Sequence, residues 1–160
     1  MIIAILAAIT VVAFNGIQAR ASLTRQTAQL DKIGRAIQIW SAETGQTLAQ
    51  SGAGYNGGGY GAYVNKNISG YTGVSIEDLL VNSGYMDSSF DTEAFGRSTV
   101  LLAPCTNGSS SSRWVVMATV TPAPEKSTAD QISESGCTNS LVTLYTDPGG
   151  TYRRNLLKAY

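Results

Sequence analysis

The chain contains no histidine, the side chain whose unperturbed pKa lies nearest to neutrality. Its absence excludes Ser-His-Asp and Cys-His catalysis and histidine-ligated metal sites. Charge is also scarce: 14% of the residues are charged, and 11 basic residues balance 11 acidic ones. A neutral chain has no general electrostatic attraction to nucleic acid or anionic membranes. The lack of histidine therefore excludes most hydrolase mechanisms.

The longest apolar run occupies residues 1–14, where Thr10 is the only polar residue. As a helix it is about 21 Å long, less than the roughly 30 Å hydrocarbon core of a bilayer. Residues 19–21 (ARA) imitate a signal-peptide cleavage site, but no positive charge precedes the run, which disfavours that interpretation. Because no proline follows until well beyond residue 43, the sequence predicts one helix of about 64 Å.

This helix changes character along its length. It is apolar all round at first, whereas Leu30, Ile33, Ile37 and Trp40 follow steps of three, four and three among polar residues. Such a stripe is typical of a helix packed on one side. A domain of this size does not cover so long a helix, so we expect the first half to protrude or to be buried by another molecule.

Residues 5–9 read ILAAI, residues 10–14 read TVVAF and residues 15–21 read NGIQARA. This block resembles the conserved helix of the type IV pilin family, which includes the type II secretion pseudopilins. Val12 stands where the family commonly has a proline. The family's upstream cleavage-site glycine and acidic residue have no counterpart here, and we expect the sequence to begin inside the helix.

The resemblance implies a major pilin, a structural protein that is not an enzyme and that needs no cofactor or metal. Identical subunits would polymerise through this helix into an extracellular filament used for adhesion, motility or DNA uptake. Before assembly the helix would lie in the cytoplasmic membrane, and a prepilin peptidase and an ATPase-driven inner-membrane assembly machinery would be partners. The expected filament core consists of Ile2, Ile3, Ile5, Leu6, Ile9, Val11, Val12, Phe14 and Ile17.

We divide the chain into residues 1–25, the hydrophobic half of the helix, and residues 26–160, a globular head. The head comprises the amphipathic helix half (26–43), a Gly-rich connecting loop with a short helix (44–97) and a β-sheet with a disulfide-bounded loop (98–160). The predicted fold class is α+β, with the long N-terminal helix packed on a small antiparallel sheet in a type IV pilin-like arrangement.

The connecting loop contains GAGYNGGGYG at residues 52–61. Its formal GxGxxG follows a helix rather than a strand, so dinucleotide binding is rejected. Tyr55 and Tyr60 are possible surface contacts with other subunits or a host, or are merely packed. Farther on, Ser75 as N-cap, Asp78 and Gly84 predict a short helix.

A cluster of acidic residues follows that short helix. Asp87, Asp91 and Glu93 invite a calcium hypothesis, but they lack EF-hand spacing, and a solvated acidic loop is the favoured interpretation.

Three stretches, residues 98–103, 113–121 and 140–146, have strand composition and predict a small antiparallel sheet. Packed on the Leu30 to Trp40 stripe, this sheet would form the one sizeable core. In an exported protein, Cys105 and Cys137 are expected to form a disulfide, since their spacing is not that of a CxxC redox motif. In the family such a disulfide commonly bounds an exposed variable loop, here residues 122–136.

Two alternatives stay open. A type II secretion pseudopilin or a minor pilin would share the fold and form a shorter polymer. A membrane-anchored extracytoplasmic module would instead bind DNA or glycan. For the latter, Arg153, Arg154 and Lys158 form a dense basic cluster that could hold phosphates, although such a run is usually solvated. Arg153 and Arg154 are accordingly further candidates for surface contacts.

Overall fold

The protein is described by a computed structural model that covers residues 2–48, 50–54, 62–63, 73–86, 100–105, 113–121, 123–138, 142–143 and 154–160. Side chains are described from Phe14 onward, apart from those of Ala62 and Tyr63.

A single helix, α1 (Ile2–Thr44), forms the N-terminal part of the molecule. Its 43 residues contain no proline to interrupt the backbone hydrogen bonds. Gly45 ends it with φ of 67°, a left-handed conformation that costs glycine little, and its N–H donates to the Ser41 carbonyl over 3.0 Å. The predicted long N-terminal helix is confirmed.

In the described part of the chain, four strands form one antiparallel sheet in sequential order: β1 (Ala62–Tyr63), β2 (Leu101–Pro104), β3 (Trp114–Ala118) and β4 (Leu156–Ala159). In its register, Leu102 stands opposite Val116, and Val116 stands opposite Lys158. Strands β2 and β3 lie within or next to the stretches predicted at 98–103 and 113–121. The α+β class, with a long helix and a small antiparallel sheet, is confirmed.

The sheet is covered on both faces. Leu102, Val116 and Leu156 face α1, where they join the main hydrophobic core with the helix stripe. The alternate residues of β2, β3 and β4 point to the opposite face, where they form a second cluster with residues from outside the strands. This second cluster consists of Leu101, Ala103, Cys105, Val115, Met117, Cys137, Val142 and Leu157. The expectation of one sizeable core is therefore wrong, because β2 and β3 are apolar at every position and bury both faces.

Helix α3 (Thr128–Ser135) lies where an exposed loop was expected at residues 122–136. Ser127 caps its first turn by accepting from the Asp130 N–H, and Gly136 ends it with φ of 65°. Ile132 packs against the second cluster. The loop prediction is wrong here because these capping signals start and stop a helix within it.

The third predicted strand, at residues 140–146, is also wrong where it is described. Val142 and Thr143 are helical, and Val142 is buried in the second cluster. The edge strand comes from β4 instead, which pairs Leu157 with Met117. Val and Thr favour a strand locally, but β3 already has β2 on one side and β4 on the other.

The short helix expected after Ser75 is confirmed as α2 (Ile76–Asn82). Ser75 and Asp78 form a reciprocal capping box, and Gly84 follows with φ of 78°. Ile76 and Leu80 anchor α2 in the main core, so the connecting segment is tied to the helix and sheet at this point.

Candidate assembly interface

The helix α1 leaves the head near Ser22. The Ser22 hydroxyl donates to the Thr121 carbonyl over 3.4 Å, and the half-buried Leu23 packs against the main core. Residues 14–18 and 20–22 are exposed. From Leu23 to Trp40, by contrast, one side of the helix is covered by the head. One continuous helix is therefore exposed to solvent just before Leu23 and covered on one side by the head after it.

Two large apolar side chains stand on the uncovered part of the helix. Phe14 is 58% exposed and Ile17 is 65% exposed. The remaining expected core residues lie on the helical backbone of α1, but their side chains fall outside those described: Ile2, Ile3, Ile5, Leu6, Ile9, Val11 and Val12. Large apolar groups that sit in water at adjacent turns favour burial against a partner.

The second half of α1 is packed against the head. Leu30, Ile33, Ile37 and Trp40, the predicted packing residues, are all buried in the main core. Each such side chain contributes roughly 1.5 to 3 kcal/mol relative to full exposure. The head therefore holds the first half of α1 in a defined direction.

A polar cluster, which we call the latch, joins α1 to β4. Lys158 Nζ donates to both carboxylate oxygens of Asp31 at 2.7 and 2.8 Å, and the Tyr160 hydroxyl donates to Asp31 Oδ1 at 2.7 Å. The Tyr160 ring lies directly over Gly34, where any Cβ would overlap it. Glycine is required at this position because a ring approaches the helix backbone.

The latch perturbs both of its acidic groups. Burial tends to raise the pKa of Asp31, but hydrogen bonds from Lys158 and Tyr160, together with the charges of Lys158 and Arg35, outweigh it and lower that pKa. Burial and the hydrogen bond to Asp31 strongly raise the pKa of Tyr160. The arrangement thus favours a charged carboxylate and a neutral phenol.

Sequence reasoning missed the latch. The available signal was Gly34, since a glycine inside a helical pattern costs about 1 kcal/mol relative to alanine and suggests a packing reason. The partners of Asp31 lie 127 and 129 residues away in sequence, and no local pattern links them.

A cavity of about 550 Å³, the exit pocket, opens beside the point where α1 leaves the head. Leu23 and Thr27 of α1 form one wall, and α3, β4 and the segment before α3 form the others. Its lining is Leu23, Thr27, Pro124, Glu125, Lys126, Gln131, Glu134, Ser135, Leu156, Leu157 and Ala159.

The predicted surface basic cluster is not assembled. Arg154 is only 6% exposed, so its placement at the surface is wrong, and Lys158 is bound to Asp31. The Arg154 side chain is buried because β4 begins two residues later, so the backbone at Arg154 already lies against the head. Arg153, Tyr55 and Tyr60 lie outside the described residues, as do Asp87, Asp91 and Glu93. In the described part of the chain, no group of acidic or cysteine side chains could hold a metal ion.

The disulfide expected between Cys105 and Cys137 is present. It ties the end of β2 to the segment after α3. The Thr138 N–H also donates to the Cys105 carbonyl over 2.9 Å. The disulfide and this hydrogen bond hold α3 over the second cluster.

Neither family models, nor curated proteins, nor solved structures gave a match to this chain. Within the described residues, no helix combines the length and the apolar character that a membrane crossing requires.

Proposed function

We propose that this protein is the structural subunit of an extracellular helical filament of the type IV pilin kind. One observation carries the proposal: α1 is a continuous helix whose second half is packed in the head and whose first half presents Phe14 and Ile17 to solvent. A subunit that buries such a helix among identical helices removes this apolar surface from water without changing the head.

The pilin-like sequence block at residues 5–21 supports the same proposal, because its described side chains, from Phe14 onward, lie on the uncovered part of α1. Before assembly this helix half would lie in the cytoplasmic membrane and be handed over by an inner-membrane assembly machinery. Adhesion, motility and DNA uptake would then be properties of the polymer and its motors.

The anchored DNA-binding alternative loses support. Two members of its basic cluster, Arg154 and Lys158, are respectively buried and engaged by Asp31. A pseudopilin or minor pilin would share every feature described here, and abundance in sheared surface filaments distinguishes a major subunit from either.

The test is imaging of filaments from cells that produce the intact protein or the double variant Phe14→Asp, Ile17→Asp. Charges within a bundle of apolar helices are costly, so we expect filaments from the parent and none from the variant. The variant Ala42→Asp adds a charge at an exposed position on the head half of α1 and serves as control. Filaments in which Phe14 and Ile17 face water would refute the proposal.

A further inference from the structure

The exit pocket has an apolar interior. Leu23, Pro124, Leu156, Leu157 and Ala159 contribute aliphatic surface from three different parts of the fold. Because the pocket adjoins the site where α1 leaves the head, it lies beside the surface that the proposed filament would bury.

The pocket also lies at the β4 edge of the sheet, since β4 is the last strand among the residues that the structure describes. An open edge commonly accepts another strand, but Gln131 covers part of this one. Its side-chain oxygen accepts from the Leu157 N–H over 2.8 Å, and its nitrogen donates to the Asn155 carbonyl over 3.0 Å. With these backbone groups satisfied, the pocket suits apolar side chains better than a paired strand.

The rim of the pocket carries charge. Lys126 Nζ lies 2.7 Å from a Glu134 carboxylate oxygen, which balances those two charges. Among the residues that line the pocket, Glu125 then leaves one net negative charge. An occupant with two apolar groups next to a cation would therefore match both the interior and the rim.

The projecting half of α1 has this pattern. Phe14, Ile17 and Arg20 follow one another at intervals of three residues, which places them on adjacent turns. All three are exposed, and Arg20 is the first charged residue of the chain. The same molecule thus presents an apolar pair with a cation and an apolar pocket with an acidic rim.

We propose that the exit pocket receives Phe14 and Ile17 of a second copy of this chain, with Arg20 of that copy beside Glu125. The contact joins two different surfaces of one chain, so it can repeat from subunit to subunit, and it builds an open polymer when the repeat does not close into a ring. This inference rests on the proposed filament function and specifies which surface of the head binds the helix of the neighbouring subunit.

Disulfide trapping in filaments tests the contact directly. The double variant Ile17→Cys, Thr27→Cys places one thiol on the inserted helix and one on the pocket wall. Within one chain these positions are about 15 Å apart along α1, too far for a disulfide, and both native cysteines are already paired. We expect mild oxidation of filaments to give a ladder of covalent dimers, trimers and longer species.

Two controls limit the interpretation. Ile17→Cys alone can give only dimers, and Ile17→Cys with Ala42→Cys moves the second thiol to an exposed position far from the pocket. Filaments that form normally but give no more ladder with Thr27→Cys than with Ala42→Cys would overturn this inference and leave the proposed function standing. The same result would follow if a lipid tail or detergent fills the pocket. Failure of the parent protein to form filaments would refute the proposed function itself.

Charge exchange provides an independent measurement. We expect Arg20→Glu and Glu125→Arg each to raise the concentration of unassembled subunit roughly 2- to 5-fold, as expected for an ion pair at an interface rim. The double exchange should return it to the parent value. A double variant that assembles as poorly as the worse single variant would contradict the pairing of Arg20 with Glu125.

Discussion

At the scale of single residues, the latch shows how a few side chains fix the long helix to the sheet. Lys158 of β4 and Tyr160, which follows that strand, bind Asp31, and Gly34 makes room for the tyrosine ring. The interactions are partly exposed, so each contributes modestly. Their main role is to fix the position of α1 relative to β4.

Replacement of Gly34 by alanine should destabilise the head by about 1 to 3 kcal/mol, because the new methyl group displaces the Tyr160 ring. Chemical unfolding followed by circular dichroism measures this. Gly16→Ala is the matched control: it also lies in α1, and a methyl group added there would meet no atom within 4 Å, so no loss is expected. Equal effects of the two variants would show that the ring contact is unimportant.

The lowered pKa of Asp31 predicts acid sensitivity. Folding favours its charged form, so its stabilising contribution is complete above the unfolded pKa of about 3.9 and is lost as pH falls through the lower folded pKa. Asp31→Asn should cost about 1 kcal/mol at neutral pH. As the pH falls below the lowered folded pKa of Asp31, the stability of the variant should approach that of the parent. A constant difference from pH 7 to pH 2 would contradict this assignment.

At the scale of elements, the capping residues and apolar runs carried the most reliable signals. The limits of α2 follow from Ser75, Asp78 and Gly84, and the same logic applied to Ser127 and Gly136 would have located α3. The continuous apolar runs of β2 and β3 already indicated burial on both faces. The expectation of a variable surface loop obscured both signals.

Strand β4 was harder to predict. Its residues, LLKA, include no β-branched or aromatic side chain, whereas residues 140–146 contain Val, Thr and Tyr, so the place beside β3 selects β4 rather than local propensity. The exit pocket was inaccessible to sequence reasoning for a related reason. Its lining comes from α1, the segment before α3, α3 itself and β4, which only the tertiary fold brings together.

The disulfide should matter most for α3. It closes a sequence separation of 32 residues, for which the chain-entropy model gives about 3.5 kcal/mol. Cys105→Ser with Cys137→Ser should therefore lower the free energy of unfolding by about this amount, as measured by urea titration. Reduction of the parent protein should reproduce the loss, and an added reductant should not affect the double variant. An unchanged midpoint after complete reduction would disprove a stabilising role.

At the scale of the whole molecule, the two halves of α1 should have separable roles. Trp40→Ala removes a buried core side chain and should cost about 3 to 5 kcal/mol. Phe14→Ser with Ile17→Ser should leave the unfolding temperature of the isolated subunit unchanged, because both side chains project from the head. Thermal unfolding checks both, and a large fall for the second variant would show that the projecting half supports the head.

The latch also has a consequence for the order in which the polypeptide becomes folded. Asp31 is synthesised early, yet its binding partners follow 127 and 129 residues later. Closing so long a loop is entropically costly and slow. For most of its synthesis the nascent chain therefore lacks the contacts of Asp31 with Lys158 and Tyr160. During this time proteases have access to the Leu30 to Trp40 stripe, which β4 later helps to cover. Ribosome stalling before residue 158 would yield molecules in which Asp31 lacks both Lys158 and Tyr160.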